Sequence, residues 1–181
     1  MHKKVPNIFT FISKFKKEEI LKLNEKIGII FRNYEKKINK TEILQLKKFC
    51  KLHKRKLYLA NNPKLAFQLK LDGLYIPSFN KVFQAKKYNF RKNFLIMGSA
   101  HNIYEIRKKE EQGIEIIFLS PIFRTKNYKK CLEVIRFNLL AKICKKKIIA
   151  LGGISQNNIS KLKITNAYGF SAISYFKKNL K

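Results

Sequence analysis

Ile148-Ile149-Ala150-Leu151-Gly152-Gly153-Ile154-Ser155 decides the reading of this chain, because an apolar run breaks on two glycines just before the segment Gln156-Asn157-Asn158-Ile159. A strand, bare backbone and then a helix start are the expectation. Two adjacent residues without Cβ let a phosphate approach the main chain, and the free N–H groups at a helix N-terminus favour an anion. Gly169-Phe170-Ser171-Ala172-Ile173-Ser174 follows as a second short apolar strand ending in a hydroxyl. The last two strands then present Gly152, Gly153 and Ser174 to one phosphate group, where phosphate commonly sits in barrels of alternating strands and helices.

Working back from this corner, short apolar runs recur at Ile8–Ile12, Ile27–Phe31, Leu57–Ala60, Gly73–Ile76, Phe94–Gly98, Ile114–Leu119, Ile148–Leu151 and Gly169–Ile173. Between most of them lie polar stretches with apolar residues three and four apart, such as Ile43, Leu46, Phe49 and Cys50, or Leu132, Ile135, Leu139 and Ile143. The first spacing suits buried strands and the second suits helices. Eight strands alternating with helices imply an α/β fold with a parallel sheet, doubly wound or closed. The count of eight, with phosphate signals at the last two strands, favours a (β/α)8 TIM barrel forming a single domain over residues 1–181. At 181 residues the barrel is shortened against the usual length of about 250, so some helices are reduced or missing. The expected places are after the first strand, between the fourth and fifth, and at the C-terminus.

The charge is unusual. Forty-one Lys and Arg against eleven Asp and Glu leave +30, a balance that raises polyanions as partners. Only six of these cations are Arg, the residue suited to bidentate phosphate and guanine recognition, and Lys accumulates together with Asn and Ile. The excess therefore reads as compositional drift over a solvated surface, with nucleic acid not expected as a partner. Cys50, Cys131 and Cys144 are odd in number and lack a Cys-x-x-Cys pair, which argues against disulfides and zinc. No apolar run is long enough for a membrane span or a signal sequence, so a cytoplasmic protein is expected.

Polar residues at the strand ends carry the candidate chemistry. After the fifth strand comes Gly98-Ser99-Ala100-His101-Asn102, and after the sixth Ser120-Pro121-Ile122-Phe123-Arg124-Thr125-Lys126. In a barrel of this kind the loops after the strands form the active face, so Ser99, His101, Thr125 and Lys126 would converge with Gly152 and Ser174. His101 alone among three histidines holds such a position, and imidazole is the natural proton carrier near neutral pH. A structural or helix-capping histidine, and a capping Ser99 or Asn102, are the alternative readings.

These segments, with Ala150-Leu151-Gly152-Gly153-Ile154, in this order and spacing, resemble the thiamine phosphate synthase and thiazole tautomerase family. Leu71-Asp72-Gly73-Leu74-Tyr75 and Leu57-Tyr58-Leu59-Ala60-Asn61-Asn62 are similar to further family segments. The resemblance implies the eight-stranded barrel and a phosphorylated thiazole as small-molecule partner. For the synthase it implies coupling of a pyrimidine diphosphate to thiazole phosphate with magnesium held by two aspartates, and a Gln-x-Arg-x-Lys segment and a later lysine on the diphosphate. Here Arg32 matches the arginine, but Ile30 and Tyr34 stand for the glutamine and lysine, Tyr128 for the later lysine, and Asn62 and Asn80 for the aspartates.

The tautomerase branch needs no metal, and its proton-transfer histidine matches His101. The resemblance therefore favours a metal-independent, thiazole tautomerase-like isomerase. In it His101 and Ser99 are catalytic, Gly152, Gly153, Ile173 and Ser174 hold phosphate, and Arg32, Thr125 and Lys126 hold the rest of the substrate. A divergent synthase using Mg²⁺ is the alternative, followed by a non-catalytic binder of the same ligand and a polyanion-binding protein. Exposed strand edges and apolar barrel flanks left by short helices would favour a homodimer.

Overall fold

A computed structural model describes residues 5–34, 39–125 and 129–178. Its elements are β1 (Ile8–Ile12), α1 (Lys17–Leu21), β2 (Gly28–Phe31), α2 (Lys40–Leu52), β3 (Leu57–Ala60), α3 (Pro63–Gln68), β4 (Gly73–Ile76), β5 (Leu95–Ala100), α4 (Ile103–Glu111), β6 (Ile116–Leu119), α5 (Glu133–Ile143), β7 (Lys147–Leu151), β8 (Gly169–Ser171) and α6 (Ser174–Lys178). Each strand pairs in parallel with the next, and β8 closes on β1 through Ile8 opposite Phe170 and Phe9 opposite Ser171. The shortened (β/α)8 barrel is therefore closed, and it leaves none of the open strand edges that were expected to favour a homodimer.

The strands carry two sets of side chains because residues alternate between lumen and exterior. Phe9, Phe11, Tyr58, Tyr75, Met97, Phe118 and Ile149 fill the lumen. Phe118 makes edge contacts with Phe9 at 5.2 Å and with Tyr75 at 5.4 Å between ring centroids. Glycines make room for these rings: a Cβ on Gly28 would lie 2.7 Å from the Phe9 ring, and one on Gly73 would lie 2.9 Å from Tyr58. Outward residues such as Ile29, Leu59, Leu74 and Ile117 pack with Ile43, Leu46, Ile106 and Phe137 from the helices. Burying each large apolar side chain stabilises the fold by about 2 kcal/mol.

Reduced helices fall at the three expected places and also after β3, where α3 has six residues, and after β7. The β1–β2 connection holds only five helical residues, and the C-terminal helix likewise five. Between β4 and β5 a single 3-10 turn, Ala85–Lys87, is accompanied by a ladder of rings from Phe83 through Tyr88 and Phe90 to Phe94, with centroids 5.6, 5.1 and 4.3 Å apart. These rings supply the apolar cover that a helix would have given. The larger unexpected reduction follows β7: Gln156–Ile159 does not start an α-helix, and only a 3-10 helix, Ile159–Ile164, forms. Asn158 accounts for it by accepting from the Ser155 N–H and donating to the Gly153 carbonyl, both at 2.8 Å, which holds the turn in a non-helical shape.

The α5 helix forms where its apolar spacing placed it, but Ile135, Leu139 and Ile143 face outward. Phe137 is its buried anchor. The spacing was right for a helix and wrong for the face that meets the barrel.

Candidate active site

A cavity of about 860 Å³ lies at the C-terminal ends of the strands. Its wall brings together Arg32 after β2, His101 after β5, Thr125 after β6, the Gly152-Gly153 turn after β7, and Ile173-Ser174 after β8. Lys126 lies outside the described residues. Ser120 and Arg124 also line the cavity, although sequence reasoning had not assigned them a role.

Both glycines have positive φ, 95° at Gly152 and 70° at Gly153, a region that L side chains rarely adopt. A Cβ at Gly153 would run into the carbonyl oxygens of Phe123 and Arg124, and one at Gly152 would meet Pro121. The missing Cβ atoms thus admit the β6–α5 loop to the end of β7, where Ile122 and Phe123 donate N–H bonds to the carbonyls of Leu151 and Gly152. The sequence reading had reserved that space for a phosphate. The turn still borders the cavity, beside the hydroxyl-bearing Ser155 and Ser174.

His101 is held in one tautomer. Its Nδ1 lies 2.8 Å from the Ser120 carbonyl oxygen, which can only accept, so Nδ1 carries the proton and donates it. Nε2 is then the lone-pair nitrogen, and the Ser78 hydroxyl 3.2 Å away donates to it. The backbone N–H of His101 donates to Glu105 Oε2 at 2.9 Å, while Asn102 Oδ1 accepts from the Glu105 N–H at 3.0 Å. This reciprocal cap starts α4 and fixes the imidazole at the cavity wall. In this tautomer Nε2 is the ring atom placed to accept a proton from a bound ligand.

Ser99 takes a different place from the catalytic one expected. It is buried in β5, and its Oγ accepts the Ser78 N–H at 2.9 Å. Ser99 therefore holds the β4 loop that presents Ser78 to His101, and it does not border the cavity. Burial raises the Tyr75 pKa, opposed by Ser99 and by the Arg32 charge, so its hydroxyl stays protonated.

The opposite side of the mouth is built on amides. Asn62 caps α3 by accepting from the Leu65 N–H at 3.0 Å. Asn80 Oδ1 accepts from the N–H groups of Val82 and Phe83 at 3.2 and 3.1 Å, and its Nδ2 donates to Asn61 Oδ1 at 2.7 Å. Both amides are neutral and their oxygens are engaged by backbone donors. Among the described residues no group of three or more His, Cys, Asp and Glu is placed to hold a metal ion. Magnesium prefers hard anionic oxygens, so this donor set does not fit it.

Beneath this side, Lys109 of α4 is 1 % exposed. Its ammonium donates to the carbonyl oxygens of Pro77 and Asn80 and to Gln112 Oε1, at 2.8, 3.0 and 2.8 Å. Burial pushes its pKa down to about 8, with the Glu105 carboxylate acting in the other direction. The run Arg107-Lys108-Lys109-Glu110-Glu111 reads as a solvated charged face, and nothing in it marks one lysine as internal.

Closed parallel barrel, polar mouth at the strand C-termini, and a glycine turn beside the hydroxyl after β8 define a (β/α)8 barrel with its candidate site at the C-terminal face. The family model described as thiamine monophosphate synthase matches residues 17–176, and the chain belongs to that family. It is 28 % identical over 149 residues to a putative thiamine-phosphate synthase 2 of Aquifex aeolicus, covering 78 % of this chain and 79 % of that protein. It is 29 % identical over 167 residues to a thiamine-phosphate synthase of Pelagibacter ubique, covering 87 % and 78 %. Among solved structures it resembles a thiamine phosphate pyrophosphorylase from Pyrococcus furiosus, with TM-score 0.74, 16 % identity, and coverage of 97 % of this chain and 92 % of that one. This last likeness concerns the fold alone.

Proposed function

We propose that the protein is a divergent thiamine-phosphate synthase, joining a pyrimidine diphosphate to a thiazole phosphate. The names of the relatives across most of their length support this reading. The carrying observation is the cavity in which Arg32, the Gly152-Gly153 turn and Ser174 meet. In the reaction, the methylene C–O bond to the diphosphate breaks with its electron pair leaving on pyrophosphate, and the thiazole nitrogen lone pair forms the new C–N bond. The chain's own contributions are to hold the thiazole phosphate beside Gly152, Gly153, Ile173 and Ser174, and to oppose the leaving charge with Arg32. Magnesium would supply further charge stabilisation where it is bound, but Asn62 and Asn80 do not offer the carboxylates for it.

The decisive assay combines both substrates, with and without magnesium, and follows thiamine phosphate and pyrophosphate. Formation of both products supports the synthase; binding of thiazole phosphate without product removes it. The metal-independent tautomerase reading that the resemblance favoured gains nothing from the relatives described above. It keeps one supporting observation, the lone pair on His101 Nε2 at the cavity wall. Under that reading His101→Ala lowers turnover of the tautomer by about 10²-fold or more; unchanged turnover removes it.

A cytoplasmic setting belongs to the same proposal, supported by cysteines that stand as free thiols. No helix among the described residues is long and apolar enough to cross a membrane. A homodimer is proposed through the outward Ile135, Leu139 and Ile143 stripe. A monomeric mass in light scattering would remove it.

A further inference from the structure

We propose that Ser171 is a specificity-determining residue whose hydroxyl, on the floor of the main cavity, hydrogen-bonds the ring of a phosphorylated heteroaromatic ligand. Ser171 ends β8 and is fully buried, yet it borders the cavity. Its Oγ is shielded from solvent and has no hydrogen-bond partner. The other buried serine and threonine hydroxyls among the described residues are engaged. Thr10 Oγ1 donates to the Ala172 carbonyl at 3.0 Å, Ser99 Oγ accepts the Ser78 N–H at 2.9 Å, and Ser120 Oγ lies 3.3 Å from His101 Nδ1. A buried hydroxyl left unbonded costs the fold stability, and native structures keep few of them. A partner entering the cavity accounts for one at its floor.

Strand geometry aims the hydroxyl. Ser171 stands opposite Phe9 of β1 and Leu151 of β7, and Phe9 is a lumen residue, so Ser171 faces the lumen too. Phe170 before it packs on the outer side, against Tyr175 and Phe176. Around Ser171 the cavity is walled by the apolar Leu151 and Ile173. One small polar group in apolar surroundings suits the edge of a flat ring that carries a hydrogen-bonding atom. Ser174 follows three positions later, so the two Cα atoms stand at most about 11 Å apart. That separation accommodates an ester whose phosphate meets Ser174 while its ring meets Ser171. A serine hydroxyl both donates and accepts, so it reads the presence of a hydrogen-bonding ring atom and tolerates either sign.

The role of Ser171 rests on thiazole phosphate binding beside Gly152, Gly153 and Ser174, and binding is measurable without turnover. Three probes are titrated by calorimetry into wild type and Ser171→Ala: thiazole phosphate, phenethyl phosphate, whose ring has no hydrogen-bonding atom, and inorganic phosphate. We expect the variant to bind thiazole phosphate about tenfold more weakly and the other two within about twofold of wild type. The melting temperature of the ligand-free variant should rise by about 2–4 °C, because the unbonded hydroxyl is gone. Equal losses for all three probes, an unchanged affinity for thiazole phosphate, or a fall in melting temperature, as when the hydroxyl holds a structural water, would each overturn the role. If the loss is specific to thiazole phosphate and no thiamine phosphate forms from the two substrates, Ser171 keeps its role and the synthase reading falls. If thiamine phosphate forms with an unchanged KM for thiazole phosphate in Ser171→Ala, the synthase reading stands and the role of Ser171 falls.

Discussion

At the β7–β8 side of the mouth, backbone turns and hydroxyls face a cavity; at the β3–β4 side, the side chains that could face a ligand are tied to their own loops. Gly152, Gly153 and Ser174 border about 860 Å³ of open space. Asn62 and Asn80 instead accept N–H groups of Leu65, Val82 and Phe83. One corner of the mouth opens on the cavity, and the other is tied into its own loops. The amide oxygens already accept backbone bonds, whereas the positive φ values of the glycine turn set main chain, not side chain, along the cavity wall.

The largest test of this contrast is Gly153→Ala. The added Cβ meets the Phe123 and Arg124 carbonyls and the residue must keep φ at 70°. We expect a loss of about 2–4 kcal/mol in urea unfolding, with weakened phosphate binding. A loss below about 0.5 kcal/mol would mean that the β6–α5 loop can withdraw from the turn and that the corner is softer than its geometry implies.

Lys109→Met probes the tied side. At pH 7 it leaves the carbonyls of Pro77 and Asn80 without their shared ammonium, a cost of about 2 kcal/mol. The pH dependence has a definite sign. With the folded pKa lowered to about 8 from 10.5, the unfolded chain holds a proton between those values that the folded chain has released. The contribution of Lys109 to stability therefore rises from pH 8 towards 10.5. The stability gap between wild type and Lys109→Met should widen from pH 7 to pH 10 in denaturant titrations. A constant or narrowing gap would show that the three oxygen acceptors keep the ammonium charged.

Ser78→Ala connects the two sides, because Ser78 rides on the β4 loop and its hydroxyl donates to His101 Nε2. Under the tautomerase reading, loss of that bond should alter turnover several-fold, about 1 kcal/mol, while leaving thermal stability nearly unchanged. Unaltered turnover would detach the β4 loop from the chemistry.

The smallest structural effect is expected from Asn62→Asp with Asn80→Asp. Aspartate caps a helix about as well as asparagine, so stability should change by no more than about 1 kcal/mol. Magnesium should then raise the melting temperature of the variant and leave that of the wild type in place. An equal rise in both would show that the amides already hold the ion.

Much of this was legible in the chain. The eight apolar runs marked the eight strands within a residue or two, since strands buried on both faces read as continuous hydrophobic segments. Arg32, His101, Thr125, Gly152, Gly153, Ile173 and Ser174 meet at one cavity because every strand end in a parallel barrel points to the same face. Ser99 was legible as a strand-end hydroxyl but not as a buried prop for Ser78, since that role depends on a loop twenty-one positions away.

By itself, then, the sequence determined the barrel, its shortened helices after β1, β4 and β8, and the group of residues at its mouth, because local periodicity and strand order suffice for these. Only the tertiary structure decided which polar groups remain available. It turned the outward face of α5 to solvent, used the glycine turn to admit a neighbouring loop, buried Lys109 beneath the β4 loop and fixed the His101 tautomer. Hydrogen-bond partners and solvent access are set by contacts between segments far apart in the chain, and a one-dimensional pattern contains neither.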